Sequence, residues 1–172
     1  MSTAFERSHF ELLGLPERFA IDAAALQAAW LRVQGAVHPD RFVATGDLER
    51  RLAMQWAARA NEAIGVLRDP VRRGAYLAER RGAPIEAESN TAMPAEFLVE
   101  QMQWREALDE ARQAHDAQAE RALRDAVAAR RAGLIEQLRA ALDDRGDAQA
   151  AAALVRRLMF VDRFLSELPE AG

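Results

Sequence analysis

Two apolar stripes of helical period flank one short loop, and that arrangement restricts the first half of the chain to an antiparallel helical hairpin. The first stripe runs from Asp22 to Val37 through Leu26, Ala29, Trp30, Val33 and Val37. Asp22 suits an N-cap, and with it in that role Ile21 and Leu26 occupy the two positions of a hydrophobic staple. The second stripe passes through Leu48, Leu52, Trp56, Ala60, Ala63, Ile64 and Leu67 and stops shortly before Asp69-Pro70, where proline favours a break. The loop between them, His38 to Asp47, is about as long as such a connection needs to be. A short leading helix is expected over Ser8 to Leu13, closed by Gly14, and a fourth from near Pro70 to before Gly82.

Strand signals are scarce along the remainder, where Ala, Leu, Arg, Glu and Gln dominate, so the expected fold class is all-α. Residues 82–94, GAPIEAESNTAMP, carry two prolines and a glycine and no helical stripe, which makes them the expected linker. Three helical patterns follow, Ala95 to about His115, about Asp116 to Leu142 and about Ala148 to Leu168, with a polar turn at Asp143 to Asp147. Their short links imply a three-helix bundle. The expected domains are therefore 1–81, a linker at 82–94 and a bundle at 95–172.

Several function classes are disfavoured by composition. A formal net charge of -4 gives no basic footprint for nucleic acid or an anionic membrane. The absence of cysteine removes disulfides, thiol catalysis and thiolate metal sites, and fits a reducing compartment. No leader pattern and no apolar run of about 18 residues is found, so a cytoplasmic location is expected. All 23 basic residues are Arg, which reads first as genomic base bias, and the arginine pairs at 50–51, 72–73, 80–81, 130–131 and 156–157 read as solvated helix faces.

The tripeptide His38-Pro39-Asp40 stands at the mouth of the hairpin loop. As an acid/base pair it lacks further polar partners placed by sequence, and as a metal site it supplies at most two ligands, since His9 and His115 lie in other segments. In isolation it reads as an ordinary turn. Its context differs, because the second stripe ends in ANEAIGVLRDPVRRGAYL, residues 60–77.

This arrangement resembles the J domain, in which an HPD loop lies between two long helices and the third helix closes on an Asn-x-Ala-x-x-x-Leu-x-Asp-Pro pattern. Here that pattern is Asn61, Ala63, Leu67, Asp69 and Pro70, followed by Arg73 and Tyr76, and the resemblance covers roughly residues 5–80. It implies that His38, Pro39 and Asp40 dock on the ATPase domain of a DnaK-type chaperone, aided by Arg32 and Arg41. An exposed Asp suits pairing with a partner Arg, and proline limits the entropy lost on docking.

The helical bundle beyond residue 94, with HFELLGLP at 9–16, extends the resemblance to nearly the whole chain, to the HscB family of iron–sulfur cluster assembly. That resemblance implies a non-enzymatic co-chaperone without cofactor or metal, with the chaperone HscA and the scaffold protein IscU as partners. The missing N-terminal Cys-x-x-Cys module of some eukaryotic members points to the bacterial form.

The helix EFLVEQMQWREALDE, residues 96–110, and LMFVDRF, residues 158–164, are similar to the family's scaffold-gripping segments. At about 100° per residue, Phe97, Trp104, Leu108 and Ala111 share a core face, while Leu98, Val99 and Met102 point away from it beside Arg105 and Glu106. On the closing helix the expected core is Leu154, Leu158, Val161, Leu165 and Leu168, with Phe160 to the side. The scaffold-binding residues implied are Leu98, Val99, Met102, Gln103, Arg105, Glu106 and Phe160. Val99, Gln103 and Trp104 depart from the residues common in the family. Two alternatives stay open from sequence: a J protein with a different client, and a helical regulatory protein in which HPD is an incidental turn.

Overall fold

The computed structural model describes residues 7–37, 46–87 and 92–169. Among these the chain is helical throughout, as expected, and it divides into two compact units, Met1–Leu77 and Ala78–Gly172.

In the first unit α1 spans His9–Leu13, α2 Ala23–Val37, α3 Asp47–Arg68 and α4 Pro70–Arg80, the last of these carrying the division between units. α1 is too short to hold itself and depends on its ends. Ser8 and Glu11 form a reciprocal capping box, and Gly14 closes the helix at φ 67°, a conformation glycine adopts without a Cβ clash. A cap of this kind contributes about 1 kcal/mol. The Asp22 Oδ1 accepts from the backbone N–H groups of Ala24 and Ala25, so the expected N-cap starts α2.

The pairings Gln27 with Arg68 and Trp30 with Asn61 run in opposite directions along α2 and α3, which makes the hairpin antiparallel. Its buried interior includes Leu26, Ala29, Ala60, Ala63, Ile64 and Leu67. The expected stripe fails at its beginning: Leu48 is 66% and Leu52 42% exposed. By the Gln27–Arg68 and Trp30–Asn61 register both leucines lie past the last residue of α2, while α1 packs along the later part of α3, where Arg59 donates to the Arg7 carbonyl.

The J-type pattern is spent on holding this unit together. Asn61 accepts from the Trp30 indole N–H at 3.3 Å, and Ala63 and Leu67 are fully buried. Asp69 Oδ1 accepts from the N–H groups of Val71 and Arg72 at 2.8 and 2.9 Å, capping α4, with Pro70 at the first helical position where its missing N–H costs nothing. Arg73 donates to the Leu67 carbonyl at the end of α3 and lies over the Phe19 ring. The Tyr76 hydroxyl accepts from the His9 backbone N–H at 3.0 Å while the two rings stack.

In the second unit α5 spans Ala95–Gln113, α6 Ala117–Arg139 and α7 Ala148–Glu167. A π-helical turn, Ala140–Asp144, prolongs α6 into the stretch expected as a polar turn, with Ala141 and Leu142 buried in it. Gly146 then reverses the chain at φ 65°. The pairs Arg131–Asp162 and Arg124 with the Leu165 carbonyl set α7 antiparallel to α6, and the bundle runs up, down, up. Phe97, Leu108, Val127, Leu134, Leu138, Val155, Leu158, Val161 and Phe164 fill the core, each contributing about 1.5–3 kcal/mol by leaving water. Phe164, missing from the expected stripe, takes the central place, and Leu165 is only half-buried.

Residues 78–87 belong to this second unit, although those from Gly82 onward were expected in a linker. Ala83 and Ile85 are buried, Arg81 donates to the Leu142 carbonyl at 2.6 Å, and Arg156 of α7 donates to the Ile85 carbonyl at 3.0 Å.

Candidate functional site

The first unit and the second each hold one set of expected binding residues. In the first, Arg32 is exposed on α2. His38, Pro39, Asp40 and Arg41 lie outside the described residues.

In the second unit an aromatic cluster sets the surface. Phe97 meets Trp104 and Phe160 edge-on at 6.3 and 6.0 Å, and Trp104 stacks on Phe164 at 5.6 Å. These contacts fix α5 parallel to α7 and leave Phe160 half-buried between them. Leu98 and Met102, one turn apart on the outer side of α5, are 45% and 70% exposed. Together with Phe160 they floor an open groove of about 930 Å³. Exposed leucine and methionine gathered around one aromatic ring form a contiguous apolar patch, the kind of surface that marks a binding site.

Five of the seven expected scaffold residues line this groove: Leu98, Met102, Arg105, Glu106 and Phe160. Val99 and Gln103 do not; both are exposed, Val99 by 52%, on the flank of α5 turned away from it. Sequence reasoning overlooked Gln101, Asp109, Glu110 and Gln113, which continue the groove. The signal was present, because Leu98, Met102, Glu106 and Glu110 succeed one another every fourth residue along one ridge of the helix. With Glu106, Asp109 and Glu110, that end of the groove is acidic.

Arg105 does not relieve the acidity, for its charge is engaged inside the unit. It makes a two-pronged pair with Glu167 at 2.8 and 3.1 Å and lies over the Phe164 ring at 5.4 Å. Arg112 adds a bond to the Glu167 carbonyl, so the ends of α5 and α7 are clasped. The hydrogen bond from Arg105 holds the Glu167 carboxyl below its ordinary value of 4.5, helped by the charges of Arg163 and Arg112 against the cost of desolvation. A carboxylate depressed on folding contributes stability above its unfolded pKa and loses it as pH falls through the folded value. The clasp therefore persists on acidification through pH 4.5 and opens below it. An NMR titration of the Glu167 side chain is expected to give a midpoint under 4.5 that returns toward that value in Arg105→Ala. A wild-type midpoint at or above it would show that the clasp is absent in solution.

Among the described residues no helix is long and apolar enough to cross a membrane, and no cluster of three His, Cys, Asp or Glu is arranged to hold a metal ion.

The HSCB C-terminal oligomerisation domain, as a family description, matches residues 93–169. The chain is 50% identical over 161 residues to a protein of Burkholderia multivorans named co-chaperone protein HscB homolog, with 94% of this chain and 91% of that one aligned. A homolog of the same name from Bordetella pertussis is 49% identical over 163 residues, 95% of each chain. Among solved structures, chaperone HscB from Vibrio cholerae superposes with a TM-score of 0.80 at 32% identity over 94% of both chains. Human co-chaperone protein HscB gives a TM-score of 0.86 at 25% identity, covering 94% of this chain and 80% of the human one.

Proposed function

Because the chain belongs to the HscB family of co-chaperones, with an N-terminal J domain and a C-terminal helical bundle, we propose that it couples the scaffold protein IscU to the DnaK-type chaperone HscA. The J domain stimulates ATP hydrolysis by HscA through His38, Pro39 and Asp40, with Arg32 and Arg41 as flanking contacts. The bundle holds IscU on the groove of Leu98, Met102, Arg105, Glu106 and Phe160, and Val99 and Gln103 carry the contact onto the adjoining flank of α5. The protein works in the cytoplasm, binds no cofactor of its own and carries out no chemistry; the nucleotide site is the partner's.

The observation that carries this reading is the convergence of Leu98, Met102 and Phe160, from two different helices, into one exposed groove. A bundle that existed only to stabilise the J domain would have no reason to leave a leucine and a methionine 45% and 70% exposed around an aromatic ring. The groove combines an apolar floor with a charged rim, the anatomy of a protein interface.

The reading is tested by steady-state ATPase of HscA. This protein alone is expected to raise the rate, and adding IscU to raise it further than the two separate effects combined. Stimulation indifferent to IscU would favour a J protein with a different client.

A further inference from the structure

A second hollow, of about 460 Å³, adjoins the groove and shares Leu98, Gln101 and Phe160 with it. Leu98 and Phe160 thus form an apolar ridge between two depressions of opposite character. One side is lined by Glu106, Asp109 and Glu110. The other is lined by Arg156 and Arg163, beside the 45% exposed Met159, and among the described residues its wall holds no acidic side chain. Arg156 spends Nη1 on the Ile85 carbonyl, while its Nε finds no acceptor among the described residues. Gln101 Nε2, in the same wall, also lacks one. Buried donors left without acceptors are costly, and here they accompany two guanidinium groups around a concave surface. Arg163 is exposed, with its charge also acting on Glu167.

We propose that this basic hollow is a carboxylate-receiving subsite of the scaffold interface, seating an acidic side chain of IscU between Arg156 and Arg163. The inference rests on the reading that IscU binds the Leu98–Phe160 ridge, and it adds polarity to that site. A bound segment presents an apolar residue to the ridge, a basic one to Glu106, Asp109 and Glu110, and a carboxylate to the arginines. Such a bipolar surface selects one direction of docking, because the reversed segment would set like charges face to face.

The test is the affinity of IscU for full-length variants, measured by calorimetry at low and high salt. Arg163 is suitable because its side chain is exposed and the bundle keeps its core without it. Arg163→Gln is expected to weaken binding about threefold at low salt, Arg163→Glu at least tenfold, and Arg163→Lys to restore most of it. The Gln variant is also expected to narrow its deficit at high salt. Arg163→Glu binding within twofold of wild type, while Leu98→Ala/Met102→Ala abolishes binding, overturns the basic subsite and leaves the scaffold site standing. Unchanged binding by Leu98→Ala/Met102→Ala removes the scaffold site itself, and this inference with it. Sedimentation of the same variants addresses a second copy as occupant: Arg163→Glu reducing self-association with unchanged IscU affinity also overturns the proposal.

Discussion

Asp40→Asn is expected to bring HscA ATPase stimulation down to the unstimulated rate at concentrations where the wild type saturates, with no change in helical content or thermal midpoint. Between the end of α2 at Val37 and the start of α3 at Asp47 the chain carries the HPD tripeptide. The described members of the J-type pattern all have internal employment: Asn61 on Trp30, Asp69 on the start of α4, Arg73 on Leu67 and Tyr76 on His9. Those residues account for the unit's cohesion. Removing one member of a desolvated charge pair at an interface costs about 2–5 kcal/mol, or roughly thirty- to several-thousandfold in affinity. Full stimulation by Asp40→Asn would return HPD to the status of an incidental turn.

The double change Leu98→Ala/Met102→Ala is expected to weaken IscU binding by at least about thirtyfold, since anchors of this kind typically contribute about 1–4 kcal/mol each. Its thermal midpoint should stay close to that of the wild type, because exposed positions away from caps and ion pairs change stability by about 0.5 kcal/mol or less. The same helix supplies the control. Phe97 and Leu108 are 3% and 2% exposed, and truncating either is expected to cost about 2–5 kcal/mol of stability. Affinity lost together with folding in the Leu98/Met102 variant would mean that the groove floor belongs to the core, and scaffold binding would then need another surface.

Much of this architecture was legible because helices announce themselves by period and by punctuation. Ser8, Gly14, Asp22 and Pro70 each act where local chemistry says they should. The orientation of α5 was legible for the same reason: one helix with two apolar faces can bury only one, and aromatic Phe97 and Trp104 take the core while Leu98 and Met102 do not. What period cannot reveal is how far a neighbouring helix extends, and so Leu48 and Leu52 read as core although nothing in the described unit covers them. The arginine pairs at 50–51 and 80–81 are exposed as expected, while those at 130–131 and 156–157 are half-buried. Each of the five pairs has at least one member bonded within its own unit, as with Arg81 and Leu142, Arg72 and Gly65, or Arg130 and Glu100. A guanidinium that reaches a helix-end carbonyl satisfies an acceptor the helix itself leaves open, and that geometry depends on tertiary placement. The acidic end of the groove, in contrast, could have been found by carrying the Leu98–Met102–Glu106 ridge one turn further.

The packing of residues 78–87 onto the bundle bears on how the second unit can be excised. A fragment begun at Pro94, where the regular helices start, would lose the Arg81 bond to the Leu142 carbonyl and the Ile85 acceptor of Arg156. It would also uncover the apolar sites that Ala83 and Ile85 fill. Arg156 stands in the wall of the basic hollow, so such a fragment would carry an altered binding surface as well as a weakened core. The smallest piece that retains the bundle's own contacts begins at Ala78, inside a helix that sequence alone assigns to the other half of the molecule.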